Sequence, residues 1–525
     1  MKIEMAWRQT FMVLIWTFIG LKNIGGYKIL MYPYGIGVTS RVTNMEKMCN
    51  ILAENGHDVS MVISNRYDES KRSIDKRVTV HKFQIPAETR LNSDVDVLRI
   101  FMDGTPSEAG EIFFKLQFSF CDSLLKSGLM ERLKTMDFNL FIADQADMCS
   151  VLLLDYLDIP VIYYENGDVY NDSPLGGGLG HPTPWSFIPN LMSADLSDNM
   201  RFAERVQNVF LHLLMQMFRL KALSTAQELR DSYGYNKTVD IRNSARDRVA
   251  LIFSNSHISI DYPRPRMPNH IYIGGLSILP PQPLPNHIAT IMEQASEVIV
   301  VSFGSSFNEL VIEKKKNVLL DVFATLPQTI VWRFDGKIPG NIPKNVHVFP
   351  WLPQSDLLGH PKTRVFVTHC GQSSTLEAIY HGVPVVAIPL AADQPYHATQ
   401  LTTRANMGVR IDKNFTADDL GNAIRKVIGN ETYAKNARKM SNQFRDNPIS
   451  PKETFQYWVN YVIRHKGAPH LKSQGLNQLN IAQYFLLDIM AALLLLIVSL
   501  IFMVYFMCRC TLRKCKSKCQ HAKKD

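Results

Sequence analysis

Between Trp351 and Gln394 the sequence gathers side chains suited to a ligand that is at once aromatic, anionic and rich in hydroxyls. After the apolar run Val365 to Thr368 comes His369-Cys370-Gly371-Gln372-Ser373-Ser374-Thr375-Leu376-Glu377. Small residues there let backbone approach a ligand closely, and Ser373 or Ser374 could cap the helix that begins at this point. A helix N-terminus beside a histidine is an anion site suited to a diphosphate. Glu377, on the same helix, could accept hydrogen bonds from ribose hydroxyls. Past Val385 to Leu390 lie Asp393 and Gln394, a carboxylate and an amide matched to sugar hydroxyls. Past Val346 to Pro350 lie Trp351 and Gln354, an aromatic plane and an amide that could stack on and pair with a base. Any one of these groups is commonplace. Their order and closeness are specific.

The elements that must position them form two series. Lys28 to Tyr34 is a β-rich run, Met45 to Glu54 has helical apolar spacing, and Gly56 sits where a helix C-terminal cap belongs. Val59 to Ile63 resumes β character, and Phe138 to Ala143 and Val161 to Tyr164 repeat the alternation. The stretch from Tyr262 to Asn286 is too dense in proline for helix or central strand and reads as a linker. Beyond it, Val298 to Phe303, Thr329 to Phe334, Val346 to Phe349, Val365 to Thr368 and Val385 to Ile388 are unbroken apolar runs. Such runs indicate strands buried on both faces, hence parallel sheets covered by helices. The fold class is α/β: two Rossmann-like parallel-sheet domains facing a cleft. Ligands of open parallel sheets bind beyond the strands' carboxyl ends, where the residues above lie.

The termini set the topology. Lys2 and Arg8 flank a short apolar run, Phe11 to Leu21, which reads as a secretory signal peptide, an uncleaved anchor or buried strand being the alternatives. Phe485 to Met507 is long enough to cross a bilayer once. Arg509, Arg513, Lys514, Lys516 and Lys518 follow it and place the tail in the cytosol. That tail, with seven Lys/Arg and one acid from Arg509 to Asp525, carries most of the net charge of +9, so a nucleic-acid partner is not supported. Eight cysteines are too few and too scattered for a disulfide framework, and none forms a Cys-x-x-Cys zinc pattern. Cys508, Cys510, Cys515 and Cys519 are either palmitoylation sites or free cytosolic thiols. Asn236, Asn414 and Asn430 head glycosylation triplets; Asn171 does too, weakened by Pro174.

The stretch from Trp351 to Gln394, with Thr-His-Cys-Gly, Glu-Ala-Ile-Tyr-His-Gly-Val-Pro and Ala-Asp-Gln-Pro, resembles the signature of UDP-glycosyltransferases. Across its whole length the chain resembles their animal, membrane-bound, glucuronosyltransferase-like branch. The resemblance implies a GT-B fold and inverting transfer of a sugar from a UDP-sugar to a small lipophilic acceptor. It also implies that Trp351 stacks on uracil beside Gln354 and that Glu377 holds the ribose. His369, Gly371 and Ser305 would approach the phosphates, Asp393 and Gln394 the sugar, and Arg264 the donor from the linker. The implied organisation is a signal peptide (1–26), an acceptor domain (27–262), a Pro-rich linker (263–286) and a donor domain (287–448). C-terminal helices (449–484) returning toward the first domain, a transmembrane helix (485–507) and a basic cytosolic tail (508–525) follow. The expected setting is the endoplasmic reticulum membrane, single-pass type I with a luminal body. No metal or cofactor is expected, the UDP-sugar being a co-substrate, and self- or hetero-association stays open.

Two positions depart from the family's pattern. The catalytic histidine that usually follows Ser after the first strand is replaced by Arg41, while its orienting partner Asp144 is present. Arginine stays protonated and cannot act as a base near neutrality. The alternative function is therefore a catalytically weakened UDP-sugar-binding partner or regulator. Ser373 stands where the family most often has Asn; it reaches less far and so weakens donor contact.

Overall fold

A computed structural model of the chain describes residues 26–34, 39–67, 73–85, 99–100, 102–104, 106–167, 183–193, 195–235, 240–304, 308–336, 341–473, 475 and 478–521. All but the last residue of the expected signal peptide, and Ser305, Asn171 and Asn236, lie outside the described residues.

Strands β1 (Lys28–Tyr32), β2 (Asp58–Ser64), β3 (Thr79–Phe83), β4 (Leu140–Asp144), β5 (Val161–Glu165), β6 (Val249–Ser254) and β7 (His270–Tyr272) form a seven-stranded sheet. Its order is β3-β2-β1-β4-β5-β6-β7, and every pairing is parallel. The second sheet has six strands: β8 (Val298–Ser302), β9 (Thr329–Arg333), β10 (Val346–Phe349), β11 (Thr363–Thr368), β12 (Val385–Ala387) and β13 (Gly408–Arg410). It runs β10-β9-β8-β11-β12-β13, again all parallel. In each sheet the order reverses once, between β1 and β4 and between β8 and β11. A crevice opens at such a switch point, outside the carboxyl ends of the strands.

Pleating explains why these strands are apolar throughout. Ile29 and Met31 pack into a core on one face of the first sheet, and Leu30 and Tyr32 into a core on the other. Val298 and Val300 face one way in the second sheet, Ile299 and Val301 the other. Two differences from the sequence reading have local causes. The Pro-rich stretch contributes β7, because the window from Asn269 to Leu279 is free of proline and an edge strand needs partners on one side only. Strand β13 went unread because three residues are too few to show a pattern.

Helices that matter for the site are α1 (Thr39–Glu54), α2 (Pro106–Lys126), α3 (Cys149–Leu157), α4 (Gln372–His381), α5 (Gln394–Thr399) and α6 (Pro451–Arg464). A disulfide joins Cys121 on α2 to Cys149 at the start of α3, a pairing the scattered cysteines did not suggest. Helix α6, from the far end of the chain, returns to the first domain: Phe455, Val459 and Val462 are fully buried against Ile29, Val59 and Phe253. Residues 472–525 form a separate unit whose main element is the helix Leu487–His521. Within its stretch Leu487–Arg513 an 18-residue window reaches a mean hydropathy of 2.9, and its apolar side chains are exposed, as befits a single-pass membrane helix. The helix starts two residues later than expected, since Phe485 and Leu486 form a turn.

Because Phe455 closes a core made by a domain that ends two hundred residues earlier, Phe455→Ala should destabilise that first domain. The expected loss is about 3–5 kcal/mol, read by denaturant unfolding in detergent. An effect near zero would mean that α6 is docked only loosely.

Candidate active site

Arg41, Asp144 and His369 emerge from the two switch points, while Trp351, Asp393 and Arg264 come from loops after other strands. Asp144 is the last residue of β4, and Arg41 lies in the first turn of α1, which follows β1. Arg41 Nη1 is 2.5 Å from Asp144 Oδ1, and Asp144 is fully buried. The same oxygen accepts the Ala146 N–H at 2.9 Å, whereas Asp144 Oδ2 has no hydrogen-bond partner. The guanidinium also lies 5.5 Å from the centre of the Tyr34 ring. Burial works against its charge, but the carboxylates of Asp144 and, across the cleft, Asp393 outweigh it and raise Arg41 above its ordinary value. Burial likewise raises Asp144, and Arg41 offsets this only in part. The position therefore holds a permanent cation and no proton acceptor.

His369 directly follows β11 and is buried. Its ring is held between two glycines: a Cβ on Gly304 or on Gly371 would come within 2.6 Å of Nε2. Gly304 also has φ +76°, a conformation that other residues resist. Burial lowers His369 to about 4, despite the attraction of Asp393, so the ring is neutral at physiological pH and offers one N–H. Beside it, the first N–H groups of α4 have no partner within the helix. The N-cap is Gly371, in extended conformation, and not Ser373 or Ser374. The helix starts earlier than the serines require, which leaves Ser373 half-exposed in its first turn and Ser374 Oγ accepting from Gln354 Nε2 at 3.1 Å.

Gln354 Nε2 also donates to Glu377 Oε2 at 2.6 Å, so the expected base-side amide and ribose-side carboxylate share one contact. Burial pushes Glu377 up to about 6, with Gln354 and Lys47 pulling the other way. Trp351 is 68% exposed, and the Arg333 guanidinium lies 4.7 Å from the ring centre. Gln394 is turned inward, its Oε1 accepting the N–H groups of Leu390 at 2.8 Å and Ala391 at 3.2 Å. Only its NH₂ end remains to donate. Arg264 reaches Tyr396 Oη at 3.4 Å. Ser305 lies outside the described residues.

Three side chains escaped the sequence reading. Arg333 ends β9 and was open to the same rule that singled out its neighbours. Lys47 comes from the first domain, and its charge is felt at Glu377. His397 is buried behind Asp393, its Nε2 3.4 Å from Asp393 Oδ2. No sequence signal marked Lys47, whose partner belongs to the folded arrangement, whereas the spacing of four from Asp393 to His397 was open to a helical reading.

The family described as UDP-glucoronosyl and UDP-glucosyl transferase matches residues 27–522. The chain belongs to the UDP-glycosyltransferases. It is 36% identical to the rat (Rattus norvegicus) UDP-glucuronosyltransferase 1A8 over 411 residues, 78% of this chain and 76% of that protein. To the rat UDP-glucuronosyltransferase 2B1 it is 32% identical over 519 residues, 94% and 95% of the two chains. The fold is GT-B. CalG4, the calicheamicin glycosyltransferase, superposes with a TM-score of 0.59 at 17% identity, covering 84% of this chain and 99% of its own. A variant of Os79 from O. sativa in complex with UDP gives 0.57 at 16% identity, covering 82% and 99%. The chain is thus a glycosyltransferase that takes a UDP-sugar donor.

Gly371→Ala tests the place of His369. The backbone at residue 371, with φ −60°, accepts alanine freely, so within the protein the added methyl meets only the imidazole, and His369→Ala separates that displacement from crowding of the diphosphate. It should weaken UDP binding by about 1–3 kcal/mol, as His369→Ala should, measured by calorimetry. Unchanged UDP affinity in both variants would remove His369 from the site.

Proposed function

We propose that the chain transfers a hexosyl group, glucuronosyl or glucosyl, from a UDP-sugar to a small lipophilic acceptor with inversion, yielding a soluble conjugate. No resident metal or cofactor takes part. The observation that carries the reading is the Arg41–Asp144 pair in a cleft whose opposite wall bears His369, Glu377 and Asp393. Attack on the anomeric carbon releases UDP, and the acceptor's proton needs somewhere to go. Here the group at the base position is a cation. It stabilises an anionic nucleophile, so the favoured acceptors are carboxylates already ionised and phenols acidic enough to ionise beside it. Amines with a free lone pair also need little help. Trp351 would stack on uracil with Gln354 beside it, Glu377 would hold the ribose, and His369, Gly371, Ser373 and Ser305 would lie at the diphosphate. Asp393, Gln394 and Arg264 would meet the sugar.

The same pair favours a second reading, a UDP-sugar-binding partner of other transferases with weak catalysis of its own. A product assay with UDP-glucuronate and UDP-glucose against mixed phenols, amines, carboxylic acids and alcohols separates the two. Conjugates of phenols or acids are expected, with little transfer to aliphatic alcohols. Arg41→His should raise alcohol turnover, by at most the factor of ~10²–10⁴ that a general base supplies. Efficient transfer to simple alcohols by the native chain, without gain in Arg41→His, would overturn the assignment of Arg41.

We also place the body in the lumen of the endoplasmic reticulum as a single-pass type I protein. The basic tail after the apolar helix supports this, as does the Cys121–Cys149 bridge, which suits an oxidising compartment. An antibody to the tail should bind intact microsomes, and endoglycosidase should shift the full chain through sugars at Asn414 or Asn430. A tail protected inside the vesicle would reverse the orientation.

A further inference from the structure

The helix Phe202–Ser232 of the first domain turns to water a face that helices usually bury. Phe202, Val206, Phe210, Leu213, Met217 and Leu220 are each half exposed or more. Their spacing of three or four places them on one side of the helix, along about 27 Å of its length. Single exposed apolar side chains are ordinary, but a contiguous stripe of this length marks a contact surface.

Polar side chains hold the helix this way round. On its opposite side Asn208 is fully buried. Its Oδ1 accepts the Asn190 N–H at 2.7 Å, and its Nδ2 donates to the carbonyls of Trp185 at 2.7 Å and Ile188 at 2.8 Å. One turn on, the buried ring of His212 stacks on Trp185, with centres 5.2 Å apart. Rolling the stripe inward would strand these groups without partners, which costs more than burial of the stripe as a whole would need to lose. The segment anchored by Asn208 exposes Phe187 and Met192 as well.

Charge decides what covers the stripe. From Arg205 to Gln227 the helix has three basic residues and no acid. Glu204, the acid before them, is paired with Arg201 at 2.6 Å. Arg205 and Lys221 are exposed and flank the stripe on opposite sides, near its two ends. Two copies packed antiparallel about Leu213 would set Arg205 of one beside Lys221 of the other, and the like charges would repel. An anionic lipid surface suits both features: acyl chains take the apolar side chains, and headgroups take the basic ends on their apolar stems. The chain brings a bilayer with it. Its stretch Leu487–Arg513 is long and apolar enough to cross one, and only residues 472–486 connect that helix to the body. At full extension such a connection reaches about 50 Å.

We propose that this face is a lipid-docking surface, on which Phe202 to Leu220 lie in the interface of an anionic phospholipid bilayer with Arg205 and Lys221 at its headgroups. The body is then held at the membrane in a second place besides its spanning helix.

The test uses the full chain carrying a site-specific protease sequence after Gly475, where the surroundings are open. It is reconstituted in vesicles of phosphatidylcholine and phosphatidylserine, the outward-facing molecules are cut, and the vesicles are floated. The freed native body should float with the vesicles. Phe210→Glu/Leu213→Glu should partition to them at least about a hundredfold more weakly, the order for two large apolar side chains left in water. It should unfold at the native denaturant concentration, both positions being exposed. A native body that leaves the vesicles as readily as the variant would overturn the proposal. So would a native body released as a dimer that the variant splits, which would give the face to a second copy instead. With phosphatidylcholine alone, retention should weaken about fivefold for each basic side chain engaged; unchanged retention would overturn the part given to Arg205 and Lys221. A reading independent of the double variant comes from Phe210→Trp in the uncut chain. Lipids brominated on their acyl chains should quench its fluorescence beyond that of the native tryptophans, and no added quenching also overturns the proposal.

Discussion

Parallel strand pairing is the constraint on which the rest depends. A strand cannot turn straight back into a parallel neighbour, so each connection must cross over a face of the sheet. Covering both faces then forces the strand order to reverse once, and the reversal parts the loops at the carboxyl ends. In this chain that happens between β1 and β4 and between β8 and β11. Arg41 and Asp144 issue from the first parting, Gly304 and His369 from the second. The site is thus a by-product of how two sheets are wound, and its contents were free to vary.

Electrostatics explains what that freedom has produced. A buried ion pair is weak grounds for stability, because desolvating two charges offsets most of their attraction. Arg41 and Asp144 are better understood as fixing a charge in place. The guanidinium contacts a carboxylate of its own domain and feels the charge of Asp393 of the other, so it links the two halves of the cleft by field. Interdomain hydrogen bonds act alongside it: Gln372 Nε2 donates to the Asn255 carbonyl at 2.6 Å and Arg404 Nε to that of Ile260 at 3.0 Å. Helix α6 ties the chain's end back to its beginning through Phe455 and Val459.

Much of this was legible in the residues alone. Unbroken apolar runs such as Val298 to Val301 announced strands buried on both faces, and the order of Trp351, His369, Glu377 and Asp393 carried the resemblance to the family. The family resemblance named Arg41 and Asp144 as a pair, and the apolar stretch before the basic tail announced the membrane helix. These features are local or periodic, and burial and backbone preference act over a few residues, so a sequence displays them directly.

Only the tertiary structure decided which groups meet. Arg41 and Asp144 are separated by 103 positions and Gln400 and Asp261 by 139, so their contacts follow from sheet winding and not from spacing. The same holds for Cys121 with Cys149, for Gln394 turned onto its own loop, and for Gly371 capping α4 ahead of both serines. Charge states belong to this class as well. Sequence fixes that residue 369 and residue 397 are histidines, but burial lowers the first to about 4 between two glycines, while Asp393 and Gln400 outweigh burial and raise the second. A pKa is set by the solvent and charges within a few ångströms, and those neighbours exist only once the chain has folded.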